Sequence, residues 1–226
     1  MKSPREPIAR ILYRLGVSAD ALTFLGLLAA FAAGALAYQG RLPEAGAMVL
    51  VSGVLDMLDG AVARLSGKAS VFGGILDSTL DRYGDGFVLG GVLFYCFHEG
   101  KPGFALLAAS ALLGSFSISY ARARAECEMD SCRVGYWERA ERIVYIALGL
   151  LLNNLGVALL VLGTTTHLTV LYRLYAARYP ERQAAWLGSP APFWRAFLLD
   201  TRRQSPHYAV KTGFWVLLVL AVRLPV

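Results

Sequence analysis

Long apolar runs alternate with short polar breaks along most of this chain. Six runs of about 20 mainly apolar residues precede residue 180, and that is the length an α-helix needs to cross about 30 Å of hydrocarbon. We therefore expect an all-α integral membrane protein. The pattern predicts six transmembrane helices near residues 19–38, 44–64, 70–97, 103–124, 138–153 and 154–177.

The first 18 residues carry a different pattern. Basic and apolar residues alternate there at helical spacing, with Ile8, Ile11 and Leu15 on one side. A helix with one apolar and one basic face is typical of a segment that lies in the membrane interface. Residues 1–18 are therefore predicted to form an interfacial helix.

The chain continues beyond the sixth apolar run. We expect residues 1–180 to form the membrane domain and residues 181–226 to form a C-terminal extension of unknown role. The extension ends in the apolar stretch GFWVLLVLAV at 213–222. This stretch is short, so a seventh membrane crossing and an interfacial position both remain open.

Composition and charge agree with a membrane protein. The chain is 56% hydrophobic and 17% charged, with a mean hydropathy of +0.50, which is too apolar for an ordinary soluble domain. With six crossings and both termini inside, eighteen Lys and Arg residues fall in cytoplasmic segments, against Arg41 and Lys101 outside. The asymmetry predicts a cytoplasmic N-terminus and explains the net charge of +6 by topology and anionic lipids, with no role in nucleic-acid binding.

Four aspartates interrupt two neighbouring apolar runs. Asp56 and Asp59 lie near the end of one run, in LDMLDGAVAR, and Asp77 and Asp81 lie near the start of the next, in GGILDSTLD. The spacing within each pair is three or four residues, so both acids of a pair lie on one helix face. These faces also carry small residues, which leave space beside the acids: Gly60, Ala63 and Gly73.

Carboxyl groups that face one another in a bilayer must be protonated, bridged by cations or open to water. Oxygen ligands favour a hard cation, so Mg²⁺ is expected, with Mn²⁺ as a possible substitute. Two such ions can hold the attacking and leaving oxygens of a phosphate substrate. Two alternatives stay open: a structural pairing of the acids with Arg64 and Arg82, and the cation or proton pathway of a transporter.

The acids and their neighbours form the pattern DxxDGxxAR, eight residues, then GxxxDxxxD over residues 56–81. This pattern resembles the motif of the CDP-alcohol phosphotransferases at every fixed position. The resemblance implies a six-helix membrane enzyme that transfers a phosphatidyl-type group from a CDP-lipid, such as CDP-diacylglycerol, to an alcohol and releases CMP. It also implies a homodimer and an active site on the cytoplasmic side of the cell membrane.

The resemblance assigns a role to each motif position. Asp56, Asp59 and Asp77 correspond to ligands of a divalent-ion pair. Asp81 corresponds to the fourth residue of the metal site and also to the general base. The positions that accommodate the CDP-lipid are Gly60, Ala63, Arg64 and Gly73.

A second polar cluster is rich in arginine. SYARARAE at 119–126 ends the fourth predicted helix, ERAER at 138–142 begins the fifth, and LYRLYAAR at 171–178 ends the sixth. Arginines that converge from three helices near a metal site would bind a phosphate on the acceptor, which neutral inositol or choline would not need. The predicted acceptor-phosphate residues are Ser119, Arg122, Arg124, Arg142 and Arg173.

Within the family, these segments resemble the prokaryotic phosphatidylinositol-phosphate synthases and the archaeal archaetidylinositol-phosphate synthases. That resemblance implies inositol 1-phosphate as the acceptor. Two positions depart from it, since Arg122 stands where those enzymes usually have Lys and Ala140 where they usually have Pro. Phosphatidylglycerol-phosphate synthesis, whose acceptor also carries a phosphate, stays open as the alternative.

Overall fold

A computed structural model describes residues 6–67, 70–129, 132, 134–179 and 217–222. Within these ranges the chain is helical, and residues 217–221 add one helical turn. The helices are α1 (Glu6–Arg14), α2 (Ala19–Tyr38), α3 (Leu42–Leu65), α4 (Val71–His98), α5 (Pro102–Ala125), α6 (Arg139–Leu151) and α7 (Leu155–Arg178).

Helices α2 to α7 form one bundle. Helix α2 packs against α3 and α4, α5 packs against α4 and α7, and α6 packs against α3 and α7. One end of the bundle, called the polar end here, contains the last turns of α3, α5 and α7 and the first turns of α4 and α6. The motif acids of α3 and α4 lie toward this end.

Local sequence signals mark the helix boundaries at the polar end. Ser18 caps α2, where its Oγ accepts a hydrogen bond from the amide of Ala21 at 3.2 Å. Ser70 caps α4 in the same way through Gly73 N at 3.0 Å. Between α3 and α4, Gly67 has a φ of +65°, a left-handed conformation that suits glycine.

The six helices predicted between residues 19 and 177 are confirmed as helices, each to within two residues at either end, whereas α1 ends at Arg14, four residues before the predicted end at residue 18. Helices α2, α3, α5 and α7 are long and apolar enough to cross a membrane. Helix α4 is long but carries Asp77, Asp81, Arg82 and Asp85, and α6 has 13 residues and so rises only about 20 Å. The all-α membrane class therefore holds, while length and composition support four crossings among the described residues.

The helix faces are distributed as a bilayer requires. On α2, Phe24, Leu28 and Phe31 are 50% to 62% exposed, whereas the opposite face buries alanine and glycine. Large apolar residues on the outside suit contact with lipid tails, and small residues on the inside let helix backbones approach closely.

The N-terminal helix packs against the polar end of α3. Ala9 of α1 is fully buried, in a small cluster with Leu22 and Val62. Ile8 and Ile11 on the opposite side are 53% and 59% exposed. The predicted amphipathic helix is therefore present, and its placement at the membrane interface stays a prediction.

Part of the C-terminal extension reaches the opposite end of the bundle. Asn154, just before α7, donates hydrogen bonds from Nδ2 to the carbonyl oxygens of Val219, at 2.6 Å, and Val222. Val219 is 1% exposed and belongs to the main hydrophobic core. Residues 180–216 and 223–226 lie outside the described residues, so the choice between a seventh crossing and an interfacial position for residues 213–222 remains untested.

Glycines set the distance between α2 and α4. A Cβ atom built on Gly91 would overlap the backbone oxygen of Gly34, and one built on Gly34 would overlap that of Phe87. Because backbone atoms cannot rotate away, any side chain here would force the two helices apart. Gly90, the preceding residue on α4, has open space around its Cβ position.

We expect Gly91→Ala to lower stability by about 1–3 kcal/mol, since it overpacks a backbone contact. The matched variant Gly90→Ala should unfold at the same temperature as the unchanged protein or slightly above it, because alanine favours helix. Thermal unfolding of the purified proteins in detergent measures both. Equal melting temperatures for the two variants would contradict this account of the α2 and α4 contact.

Candidate active site

Three of the four motif acids come together at the polar end. Each of Asp56, Asp59 and Asp77 offers a carboxylate oxygen, and these oxygens lie within 4.8 Å of one another. Asp59 is buried, and its Oδ2 accepts a hydrogen bond from Thr23 Oγ1 of α2 at 2.8 Å. Asp77 Oδ1 is buried and has no hydrogen-bond partner among the described residues. Helices α3 and α4 thus present three oxygen ligands to one point.

This arrangement fits a divalent cation. Within the described part of the chain, Asp59 and Asp77 form no ion pair with a basic side chain. A buried carboxyl group without a hydrogen-bond partner is costly unless a cation neutralises it. An all-oxygen donor set is the kind that Mg²⁺, Mn²⁺ and Ca²⁺ prefer. The donor set and the orphaned oxygen of Asp77 therefore both suit a metal ion.

Asp81 has a different environment from the other three acids. Its Oδ1 lies 2.8 Å from Arg139 Nη1, and its Oδ2 lies 3.6 Å from Arg82 Nη2. The same Arg139 nitrogen lies 3.0 Å from Asp56 Oδ1. The Arg139 guanidinium thus bridges Asp56 of α3 and Asp81 of α4. Through this bridge Asp81 lies next to the cluster of Asp56, Asp59 and Asp77.

Asp85 lies one turn further along α4, outside the motif, and is buried. Three guanidinium groups surround it, those of Arg139 at 3.4 Å, Arg142 at 3.5 Å and Arg82 at 4.0 Å. We use the name acid cluster for the five aspartates and these three arginines. Carboxyl groups outnumber guanidinium groups in the acid cluster, which favours binding of further positive charge.

The segment before α6 fixes the position of Arg139. Glu138 and Glu141 form a capping box, in which Glu138 N donates to Glu141 Oε2 at 2.7 Å. Trp137 Nε1 donates to Thr165 Oγ1 at 2.6 Å, so α7 holds the residues just ahead of the helix. Arg139 is the first residue of α6, so these contacts hold the backbone from which its side chain extends.

Two cavities meet at Arg139. The first, about 270 Å³, is open toward the motif acids and is lined by Thr23, Asp56, Asp59, Asp81 and Arg139 among others. The second, about 480 Å³, lies deeper in the bundle. Its polar wall is formed by Asp85, Ser115, Arg139 and Arg142, and its remaining wall is largely aliphatic.

The predicted CDP-lipid positions lie on the same two helices as the motif acids. Gly60 and Ala63 are on α3 and Gly73 is in the first turn of α4, and all three are partly exposed. A Cβ atom on Gly60 would lie 3.3 Å from Nη1 of the exposed Arg64, so this arginine folds back along its own helix. The assignment of these residues to the nucleotide stays a prediction.

Three of the predicted acceptor arginines converge from α5, α6 and α7. Arg173 lies close enough to Arg122 and to Arg142 for its charge to interact with each of theirs. Arg173 is buried, and it donates hydrogen bonds to the carbonyl oxygens of Val134, at 3.2 Å, and Ile118. Arg122 is partly exposed and pairs with Glu126 at 2.9 Å. Three like charges in one region favour binding of an anion.

The other two predicted acceptor residues have separate surroundings. Ser119 Oγ accepts a hydrogen bond from Arg82 Nη1 and donates one to Ser115 O at 3.0 Å, so it adjoins the acid cluster. Arg124 pairs with Glu128 at 2.9 Å, and its side chain is 59% exposed. The structure thus brings Ser119 next to the acids and places Arg124 on the surface.

Sequence reasoning left four contributors out of the predicted site: Thr23, Arg82, Asp85 and Arg139. A signal existed for three of them. Arg82 and Asp85 directly continue the Asp81 stretch of α4, and Arg139 lies three residues before Arg142 on the same helix. Thr23 gives no such signal, because a threonine in an apolar helix commonly bonds only to its own backbone.

Comparison with known proteins identifies the family. A model of the CDP-alcohol phosphatidyltransferase family matches residues 17–178. An archaetidylinositol phosphate synthase of Pyrococcus horikoshii is 35% identical over 179 residues, which are 79% of this chain and 93% of that protein. A phosphatidylinositol phosphate synthase of Mycobacteroides abscessus is 33% identical over 182 residues, 76% of this chain and 83% of that protein.

Solved structures show the same fold. The phosphatidylinositol phosphate synthase of Mycobacterium tuberculosis with bound CDP-DAG superposes with a TM-score of 0.71 at 33% identity, covering 77% of this chain and 93% of that one. The same enzyme in complex with manganese and citrate gives 0.72, covering 77% and 88%. On the motif, the fold and these matches, the chain belongs to the CDP-alcohol phosphatidyltransferase family.

Proposed function

We propose that this protein transfers a phosphatidyl-type group from a CDP-lipid such as CDP-diacylglycerol to a hydroxyl of inositol 1-phosphate and releases CMP. The observation that carries the choice of acceptor is that Arg173 lies close to both Arg122 and Arg142, and that Arg142 lies 3.5 Å from Asp85 of the acid cluster. The named activities of the relatives support the same choice, because they are archaetidylinositol and phosphatidylinositol phosphate synthases.

The CDP-lipid would bind where α3 and α4 present the motif. Asp56, Asp59 and Asp77 would hold the metal, which we propose to be a pair of Mg²⁺ ions that Mn²⁺ can replace. When bound, such ions would neutralise the diphosphate and make CMP a better leaving group. Gly60, Ala63 and Gly73 would leave room for the nucleotide, and Arg64 would contact its phosphates.

Asp81 would act as the general base. The acceptor hydroxyl loses its proton to the Asp81 carboxylate and its oxygen forms a bond to the lipid-side phosphorus. The bond from that phosphorus to the CMP oxygen breaks, and CMP leaves with the electron pair. Arg139 and Arg82 contact the two oxygens of Asp81 and so hold the carboxylate in one orientation.

We propose direct displacement, without a covalent enzyme intermediate. Cys132 is the buried thiol near Arg173, and it is poorly suited to act as a nucleophile. Burial raises the pKa of the Cys132 thiol above its usual range, although the nearby Arg173 opposes this shift. A thiol with a raised pKa stays protonated near neutral pH, and the thiolate is the reactive form.

The acceptor phosphate would bind among the arginines of α5, α6 and α7. Arg122, Arg142 and Arg173 would contact it, and Ser119 would hydrogen-bond to the acceptor. Arg124 would take part only after leaving Glu128, with which it pairs on the surface. Arginine at position 122 retains a phosphate partner where the resembling synthases usually have lysine.

We also propose that α4 and α6 cross the membrane with the other four helices, which would give six crossings. The excess of basic residues at the polar end supports a cytoplasmic N-terminus and a cytoplasmic active site. A transport pathway is disfavoured because the four motif acids of α3 and α4 lie toward the polar end, and residues 86–97 of α4 carry no charged side chain. The homodimer implied by the resemblance remains part of the proposal.

An acceptor panel tests the substrate assignment. Purified protein with CDP-diacylglycerol and Mg²⁺ should convert inositol 1-phosphate to a lipid product that mass spectrometry resolves. Free inositol and serine should not react, because they lack the phosphate that the arginines bind. Reaction with glycerol 3-phosphate and not with inositol 1-phosphate would overturn the acceptor while leaving the reaction class in place.

Asp81→Asn should lower kcat by about 10²–10⁴-fold, because an amide cannot accept the acceptor's proton. Binding of the CDP-lipid should remain close to that of the unchanged protein, since Asp81 is not one of the three clustered metal-binding acids. Asp20→Asn, at an exposed position in the first turn of α2, is the control and should keep full activity. Retained CMP release by Asp81→Asn would remove Asp81 as the base.

Arg122→Gln should raise the KM for the phosphorylated acceptor about tenfold or more, because one charge-assisted contact is lost. The KM for the CDP-lipid should stay unchanged, since that substrate binds at α3 and α4. Arg178→Gln, at an exposed position near the end of α7, serves as the matched control. An equal rise in both KM values would indicate that Arg122 supports the fold and does not contact the acceptor.

A further inference from the structure

Arg139 contacts a second acid besides the Asp81 carboxylate that it orients. Its Nη1 lies between Asp56 Oδ1 at 3.0 Å and Asp81 Oδ1 at 2.8 Å. Asp56 is one of the three acids whose oxygens cluster for a metal ion. A guanidinium and a divalent cation therefore draw on the same carboxylate.

The Arg139 side chain also forms an ion pair with Asp85, on the side away from Asp56. Arg139 Nε lies 3.4 Å from Asp85 Oδ1, on the side of the deeper cavity. Asp85 is 8% exposed, and its other oxygen lies 3.5 Å from Arg142. Arg139 thus reaches between the outer acids and an inner acid and forms part of the wall of both cavities.

A carboxylate that accepts hydrogen bonds from a guanidinium offers less negative potential to a cation. The position of the Arg139 side chain then matters for metal affinity. Contact with Asp56 and Asp81 opposes binding of the cation, and contact with Asp85 draws the positive charge away from it. The two contacts of the Arg139 side chain therefore have opposite effects on the affinity of the site for a cation.

We propose that Arg139 is a positioning residue that competes with the divalent cation for Asp56, and that Asp85 relieves this competition by retaining the guanidinium. The inference rests on the proposed metal site of Asp56, Asp59 and Asp77. It assigns Asp85, which lies outside the motif, to the control of metal binding. It also makes the start of α6, which carries Arg142, sensitive to whether the metal is bound.

The two contacts give opposite expectations. Arg139→Gln removes the competing charge, so affinity for Mn²⁺ should rise about tenfold, within the usual range for coupled sites. Asp85→Asn removes the retaining charge and leaves Arg139 with Asp56 and Asp81, so affinity for Mn²⁺ should fall by a similar factor. A purely structural role would weaken Mn²⁺ binding in both variants.

The measurement is Mn²⁺ binding to the purified protein without substrates, followed by the electron paramagnetic resonance signal of free Mn²⁺. Arg139→Lys keeps the charge and should bind Mn²⁺ more weakly than Arg139→Gln does. Arg41→Gln is the control, because Arg41 pairs with the exposed Glu44 at the opposite end of the bundle. Thermal unfolding of each variant shows that the comparison is between folded proteins.

Asp77→Asn separates failure of this inference from failure of the proposed metal site. If Asp77→Asn binds Mn²⁺ as the unchanged protein does, the metal site itself is wrong and the inference falls with it. If Asp77→Asn loses Mn²⁺ but Arg139→Gln does not gain affinity, the competition is overturned and the site stands. Should Asp85→Asn fail to fold, the comparison of Arg139→Gln with Arg139→Lys still decides the question.

Discussion

The arrangement of the polar end follows from the cost of placing five carboxyl groups inside a helix bundle. Asp56, Asp59, Asp77, Asp81 and Asp85 repel one another, and burial deprives them of water. Three arginines offset part of this repulsion, but their contacts are with Asp56, Asp81 and Asp85. Asp59 and Asp77 remain the acids best placed to bind a further cation. Because the arginines offset only part of its negative charge, the acid cluster can both hold the helices together and bind a metal ion.

That cluster requires close and rigid packing around it. Helices α2 and α4 touch through the backbones of Gly34 and Gly91, which fixes how Thr23 and the acids of α4 face α3. The start of α6 is held by the capping box at Glu138 and by the hydrogen bond of Trp137 to α7. These contacts are remote from the chemistry. They nevertheless determine whether Arg139 lies within reach of Asp56 and Asp81.

Much of the fold and half of the site were predictable from sequence for physical reasons. Apolar run lengths fix the helices because hydrocarbon thickness fixes the length of a crossing. The spacing of Asp56 with Asp59 and of Asp77 with Asp81 places each pair on one face of its own helix. The count of crossings was less predictable, since α4 carries functional charges and α6 is short. The pairing of Arg139 with two acids depends on the tertiary placement of α6, which no local pattern encodes.

The two proposed substrates would bind to residues on different helices. Helices α3 and α4 present the acids and small residues proposed for the CDP-lipid, while α5, α6 and α7 supply Arg122, Arg142 and Arg173 for the acceptor. The acceptor can then change through substitutions on α5 to α7 without disturbing the metal-binding acids. Arg139 crosses this division, because it starts the helix of Arg142 and bonds to Asp56 and Asp81. Occupation of one half is thereby connected to the geometry of the other. Two further contacts link the halves, since Arg142 lies 3.5 Å from Asp85 and Ser119 accepts a hydrogen bond from Arg82.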